Sequence, residues 1–220
     1  MNTSAEISLI NRGGLEPPAD RSSVSTLEIE NAALQEANRQ LRLQIVQLQR
    51  LAYLDSLTGL RNRRYFDAIL ISELRRAKRT EKPFTLLICD VDRFKECNDR
   101  YGHAVGDQVL IEIAGLLRRF CRRGGDFAIR YAGDEFALLL PGMQLTAAAQ
   151  LAENLRSSVA ELVTGCRRAR VPNFVTLSIG GAAVEPAKSC QAARLVEAAD
   201  RALYLAKRAG RNSARLLACK

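Results

Sequence analysis

The sequence predicts an α+β domain: a central, mainly antiparallel sheet flanked by helices and preceded by an N-terminal coiled-coil helix. Three observations carry this. Leu27, Leu34, Leu41 and Leu48 recur every seven residues, the d-position spacing of a coiled coil. Beyond them, helical and strand patterns follow in the order helix, strand, helix, hairpin, helix, strand, helix, which describes a sheet with helices packed on it. Two short apolar runs, Phe127-Ala128-Ile129 and Phe136 to Leu140, flank Ala132-Gly133-Asp134. They read as a β-hairpin in which glycine supplies the turn.

Composition bounds the function. The 220 residues carry 47% hydrophobic and 26% charged side chains, enough for a real core in one ordinary domain plus an appendage. No window approaches the roughly 20 apolar residues of a membrane span, and the N-terminus lacks a secretory signal pattern, so no membrane insertion is expected. The six cysteines contain no C-x-x-C pair, and His103 is the lone histidine. Neither a zinc site nor a disulfide frame is expected, which places the chain in the reducing cytoplasm. Residues 55–220 hold 28 basic and 18 acidic groups, against 5 and 6 in residues 1–54. A basic globular part implies an anionic ligand. An aromatic content of 5% without Trp argues against a single-stranded nucleic-acid platform. A phosphate-bearing small molecule fits better.

Residues 1–22, with Gly13-Gly14 and Pro17-Pro18, read as a flexible tail. Residues 23–54 read as a dimerisation stalk. The a positions opposite the leucines are Val24, Asn31, Asn38, Ile45 and Ala52. Buried Asn at a specifies a parallel, in-register pair at a cost in stability, and the b, c and f positions read as polar. A helix this long spans roughly 45 Å. The competing assignment is a single amphipathic helix folded back on the domain. A basic-zipper DNA binder is excluded because no Lys/Arg block precedes Leu27.

After a turn at Asp55, an apolar face of Tyr65, Phe66, Ile69, Leu70, Leu74 and Ala77 marks a helix that Pro83 ends. Phe84 to Cys89 is a continuous apolar run, as in a strand buried on both faces. It stops at Asp90-Val91-Asp92, carboxylates for which folding alone gives no reason. Phe94 to His103 starts as a short helix, and Asp107 is positioned to cap the next one, through about Cys121. Leu145 to Leu162 is helical, Val171 to Ile179 is a strand closed by Gly180-Gly181, and Arg194 to Ala209 is a final helix stopped by Gly210.

The chemistry gathers where the Leu86–Cys89 strand ends. There Asp90 can neighbour Asp134 and Glu135 of the hairpin. Such a group can hold Mg²⁺, which needs only one or two protein carboxylates when phosphate oxygens and water complete its shell, and it suits in-line attack on an α-phosphate. Lys95, Lys207 and Arg211 are candidate phosphate clamps, or else solvated surface.

From Asp55 to Arg211 the chain resembles the GGDEF domain of diguanylate cyclases. The resemblance rests on four ordered motifs: Asp55-x-Leu57-Thr58-Gly59-Leu60-x-Asn62-Arg63-Arg64; Asp90-Val91-Asp92-x-Phe94-Lys95-x-x-Asn98-Asp99-x-x-Gly102-His103-x-x-Gly106-Asp107; Arg130-Tyr131-Ala132-Gly133-Asp134-Glu135-Phe136; and Lys207-x-x-Gly210-Arg211-Asn212. It implies a nucleotide-cyclase/polymerase palm-like fold over residues 55–220 that turns two GTP into cyclic di-GMP and two pyrophosphates. It implies Mg²⁺, or Mn²⁺ in its place, on Asp90, the Val91 carbonyl and Asp134. Asp134 also matches the base for the 3′-hydroxyl, with Glu135 as the adjacent acid. Asn98 and Asp107 match guanine readers, and a carboxylate can accept from guanine N1–H and N2–H where adenine offers no such pair. Arg93 and Phe94 match positions whose backbone amides face phosphates, and Lys95, Lys207 and Arg211 match phosphate-binding positions. Arg123 and Asp126 match the inhibitory cyclic di-GMP site of the family. The family's first signature glycine is Ala132 here, tolerable if this residue keeps a negative φ.

Each domain should hold one GTP, so the reaction implies a homodimer, held by the parallel coiled coil of Leu27, Asn31, Leu34, Asn38, Leu41, Ile45 and Leu48. No input domain fits before Asp55, so a regulatory protein acting on the stalk is expected. The alternative is a catalytically silent GGDEF module that binds GTP or cyclic di-GMP and signals through its coiled coil.

Overall fold

A computed structural model describes residues 21–165, 175–185 and 190–219. The expected tail lies outside the described residues except for its last two positions, which already belong to a helix. The chain divides between Gln49 and Arg50 into two units.

The described part of the first unit, residues 21–49, is helical throughout and belongs to α1 (Arg21–Tyr53). Leu27, Leu34, Leu41, Ile45 and Leu48 are all exposed on the single chain. The expectation of polar outer positions needs correction. Ile29 and Leu43 fall at f and Val46 at b, and all three are exposed too, so α1 carries apolar side chains on two faces.

In the second unit, Asn62 caps α2 (Arg63–Thr80) by accepting from Tyr65 N, and Glu81 ends it in the left-handed region. β1 (Phe84–Asp92) follows, buried at every position. Then come α3 (Phe94–Tyr101), α4 (His103–Phe120), β2 (Phe127–Ala132), β3 (Glu135–Pro141), α5 (Leu145–Gly165), β4 (Thr176–Val184), α6 (Ala192–Arg208) and β5 (Ala214–Ala218). Among the described residues the five strands lie in the order β2-β3-β1-β4-β5, antiparallel except for the parallel β4–β5 pair.

Alternation along β1 divides the core. Leu87, Cys89 and Val91 join a cluster with Leu110, Leu117, Leu155 and Ile179. Phe84, Leu86 and Ile88 join Phe66, Leu70, Leu195 and Leu203 on the opposite face. Each fully buried Leu contributes roughly 2 kcal/mol.

Several local expectations change. β4 does not close at Gly180-Gly181 but runs through them to Val184. A Cβ on Gly180 would lie 2.1 Å from Leu203 N and 2.4 Å from Ala199 O, so glycine here lets α6 lie directly against the sheet. The expected strand start at residues 171–174 lies outside the described residues. Asp107 is not a cap, because α4 already begins at His103 after Gly102 (φ 84°). β5 was not expected at all. A disulfide joins Cys190 to Cys219, against the expectation of unpaired cysteines. The two are 29 residues apart in sequence, and the fold brings the start of α6 beside the end of β5. Among the described residues no helix is long and apolar enough to cross a membrane.

Candidate active site

β1 and β3 pair in the register that sets Asp90 opposite Glu135 and Cys89 opposite Phe136. On its other side β1 sets Asp90 opposite Ser178 and Asp92 opposite Thr176. The carboxylates expected at a strand end therefore sit within a continuous ladder. With period-two alternation, Asp90 and Asp92 share the α6 face of the sheet.

Asp90 is nearly buried, and Lys207 Nζ of α6 lies 2.6 Å from its Oδ2. Burial pushes the Asp90 carboxyl above its ordinary range, the Lys207 ammonium pulls it back, and Asp134 and Asp92 add to the rise. Burial likewise raises Glu135, followed by the charge of Asp90, while Lys207 opposes. Asp90, Asp134, Glu135 and Lys207 thus form one electrostatic group.

The signature turn is held from two sides. Val91 N donates to Asp134 O at 3.3 Å. Arg130 Nε donates to Gly133 O at 2.9 Å, and its Nη1 reaches Asp55 Oδ1 and Oδ2 at 3.1 and 3.2 Å. Asp55 Oδ1 also accepts from Thr58 N and Thr58 Oγ1. Burial alone would raise the Asp55 carboxyl, but the bonds from Thr58 and Arg130 outweigh it and hold it below the usual value. The left-handed step falls on Gly133 (φ 50°), and Ala132 is not among the positive-φ residues, so the methyl group causes no backbone strain.

Arg93 (φ 57°) turns the chain from β1 into α3, placing the N-terminus of α3 next to the carboxylates. Helix N-termini present free amides to anions. Asn98 Oδ1 on α3 is buried without a hydrogen-bond partner among the described residues. A Cβ on Gly106 would lie 1.9 Å from that oxygen, so Gly106 makes room for the amide. Asp107 follows on α4 and is exposed. Lys95 is exposed on the first turn of α3. Arg211 Nε lies 4.0 Å from Asp92 Oδ1.

The Asp90-Val91-Asp92 pattern assigns Asp92 no role of its own. Its carboxylate is 1% exposed and accepts from Thr176 Oγ1 (2.7 Å), Ser178 Oγ (2.7 Å) and Asn212 N (3.0 Å). The donors lie 84 to 120 residues away, beyond any local pattern. The Arg130–Asp55 bridge is likewise invisible to local spacing, although each residue opens one of the family-like motifs.

Arg123-Gly124-Gly125-Asp126 forms a closed turn: Asp126 N donates to Arg123 O at 3.0 Å and Arg123 N to Asp126 Oδ2 at 3.3 Å. Burial raises the Asp126 carboxyl, and Arg123 partly offsets it. Gly124 and Gly125 line a cavity of about 190 Å³ with Glu73, Arg76 and Lys82. Pro83 and Pro141 line it as well, so it sits at the far end of β1 and β3 from Asp90.

Residues 52–213 match the family model described as "Diguanylate cyclase, GGDEF domain". The chain is 39% identical over 183 residues to diguanylate cyclase VdcA of Vibrio cholerae, covering 83% of this chain and 52% of that protein. It is 35% identical over 202 residues to diguanylate cyclase DgcS of Shewanella oneidensis, covering 92% of this chain and 64% of that one. It therefore spans about half to two thirds of the length of these relatives. Among solved structures, it resembles the coiled coil and GGDEF domain of DgcB from Caulobacter crescentus in complex with c-di-GMP (TM-score 0.74, 34% identity, 88% of this chain and 99% of that one). It also resembles diguanylate cyclase SiaD in complex with its activator SiaC from Pseudomonas aeruginosa (TM-score 0.68, 32% identity, 90% and 74%). The chain belongs to the GGDEF-domain family of diguanylate cyclases.

Proposed function

We propose that the chain is a diguanylate cyclase that condenses two GTP into cyclic di-GMP and releases two pyrophosphates. The observation that carries this reading is the β1–β3 register, which sets Asp90 opposite Glu135 at the Asp134 turn, with Lys207 2.6 Å from Asp90. Each GTP occupies one domain. The 3′-oxygen of each nucleotide attacks the α-phosphorus of the other, the α–β bridging bond breaks, and pyrophosphate leaves.

In this reading Asn98 and Asp107 pair with the guanine edge, and the unpartnered Asn98 Oδ1 is an acceptor waiting for a donor. Backbone amides at Arg93 and Phe94, with Lys95, Lys207 and Arg211, hold the phosphates. Asp134 takes the 3′-hydroxyl proton, and Glu135 adds negative charge beside it. The residues fit Mg²⁺ or Mn²⁺: Asp90, the Val91 carbonyl and Asp134 would hold it. Burial and neighbouring acids disfavour ionised Asp90, a condition a cation relieves. Among the described residues no cluster of three His, Cys, Asp or Glu could hold a metal by itself; here substrate oxygens and water would have to complete the shell. When bound, the ion neutralises phosphate charge and acidifies the hydroxyl.

Two half-sites must meet, and the a/d seam of α1, from Leu27 through Asn31, Leu34, Asn38, Leu41 and Ile45 to Leu48, would pair two copies in parallel and raise their effective concentration. The outer apolar positions Ile29, Leu43 and Val46 offer a surface for a regulatory protein on the stalk; SiaD, which this chain resembles, is solved in complex with an activator. Arg123 and Asp126 would bind the product and inhibit: Arg forks to guanine or phosphate and Asp accepts from the guanine edge.

The test is incubation with GTP and Mg²⁺ followed by chromatography for cyclic di-GMP, for the native chain and for Asp134→Asn. Product from the first and none from the second supports the reading. Nucleotide binding without product from the native chain assigns it instead to the silent GGDEF module.

A further inference from the structure

After Gly210 (φ 110°) the chain keeps two side-chain-bearing residues in the left-handed region, Arg211 (φ 66°) and Asn212 (φ 43°). The helix stop does not need them. Gly210 alone provides the turn, with Arg211 N donating to Ala206 O at 3.2 Å and Gly210 N to Lys207 O at 3.3 Å. Left-handed residues with a Cβ persist only where their surroundings over-determine them.

Two restraints do so. From the sheet, Asp92 Oδ2 accepts from Asn212 N at 3.0 Å, and the Asp92 carboxylate is itself fixed by Thr176 and Ser178. From α5, Arg156 Nη1 donates to Asn212 Oδ1 at 2.9 Å. The Arg156 guanidinium is in turn gripped by Glu153, with Nε 3.0 Å from both carboxylate oxygens, and its Nη2 reaches Ser157 Oγ at 3.2 Å. An exposed i,i+3 ion pair contributes little to stability by itself. Here it aims a guanidinium across 56 residues of sequence at a strained turn.

That turn carries Arg211, whose Nε lies 4.0 Å from Asp92 Oδ1, while Lys207 one helical turn earlier meets Asp90. The two cations are thereby set over the two carboxylates of one strand face. We infer that Arg156 is a positioning residue for the nucleotide: through Asn212 it holds the Arg211–Asn212 turn left-handed, so that Arg211 stands ready for the phosphates. The inference rests on the GTP-binding reading above. No sequence motif includes Arg156, and its contribution arises only from the packing of α5 against the α6–β5 turn.

The test uses the full chain and Arg156→Met, which keeps the apolar stem and removes the donor. The expected result is a KM for GTP raised about 5-fold, with kcat within about 2-fold and the melting temperature unchanged. The Asn212 amide should also lose hydrogen-exchange protection. In an Asn212→Gly background, where the acceptor is absent and φ is free, adding Arg156→Met should change KM by less than about 2-fold. An unchanged KM and unchanged Asn212 exchange in Arg156→Met overturn the inference. A KM rise that persists undiminished in the glycine background does so too, as does a loss confined to kcat and melting temperature. If native protein neither binds a fluorescent GTP analogue nor releases pyrophosphate, the GTP reading itself has failed and the positioning role falls with it. Native turnover with a silent Arg156→Met removes only the role of Arg156.

Discussion

Lys207 Nζ lies 2.6 Å from Asp90 Oδ2, joining the last helix to the central strand across 117 residues. Asp90 is nearly buried and Lys207 about two-thirds shielded, so the ammonium partly offsets the burial that raises the Asp90 carboxyl. In the proposed reading, the same ammonium would meet the phosphates of a bound nucleotide. Lys207→Met should lower turnover on the order of 100-fold, measured as initial pyrophosphate release. A loss below about 3-fold would remove Lys207 from the phosphate site.

The Asp55–Arg130 bridge links the turn after α1 to the signature hairpin. Asp55→Asn removes a charge-assisted pair and should cost about 2 kcal/mol, a fall of roughly 6 °C in melting temperature. The pH dependence follows from the sign of the shift. The folded carboxyl titrates below its ordinary 3.8, so its stabilisation is complete above that value and is lost as pH falls through the folded pKa. The difference in melting temperature between native and Asp55→Asn should be constant from about pH 5 to 8 and close below about pH 4. A gap that widens on acidification contradicts the assignment.

Guanine selection should depend on Asp107. A site built to pair two donors rejects bases that lack them by roughly 10⁴-fold. Asp107→Asn replaces an acceptor with an amide that can meet adenine's N1, so GTP use should fall while discrimination against ATP narrows. Competition between the two nucleotides reads both effects at once. Unchanged discrimination would return Asp107 to the role of an exposed helix residue.

Gly180→Ala tests how closely α6 must lie. The added methyl would sit 2.1 Å from Leu203 N, a backbone atom that cannot rotate away. Overpacking of this kind costs about 1–3 kcal/mol or more, and relief requires moving the helix that carries Lys207. Thermal unfolding should drop by several degrees, and GTP turnover should fall further than stability alone explains.

The sequence made legible what is local or periodic. The continuous apolar run of β1, the amphipathic faces of α2 and α4, the hairpin around Gly133 and the heptads of α1 all follow from spacing. The acids Asp90, Asp134 and Glu135 stood out because strands and turns have no folding need for them together. Non-local features were hidden. β5 is short, and Arg215 interrupts its apolar run. Gly180-Gly181 reads as a stop until α6 is seen against it. Asp107 has the chemistry of a cap, but α4 starts four residues earlier. The Asp92 network and the Cys190–Cys219 disulfide join segments that only the sheet brings together, and the apolar f and b positions of α1 were masked by the stronger a/d repeat.

The central claim is that paired half-sites join two GTP. The most direct measurement is the ratio of products from the full chain with GTP and Mg²⁺, with pyrophosphate and cyclic dinucleotide quantified in the same reaction. Two pyrophosphates per cyclic di-GMP, with no net product from Asp90→Asn, is the predicted result. Bound GTP with no pyrophosphate, or pyrophosphate without cyclic di-GMP or its linear precursor, would contradict it.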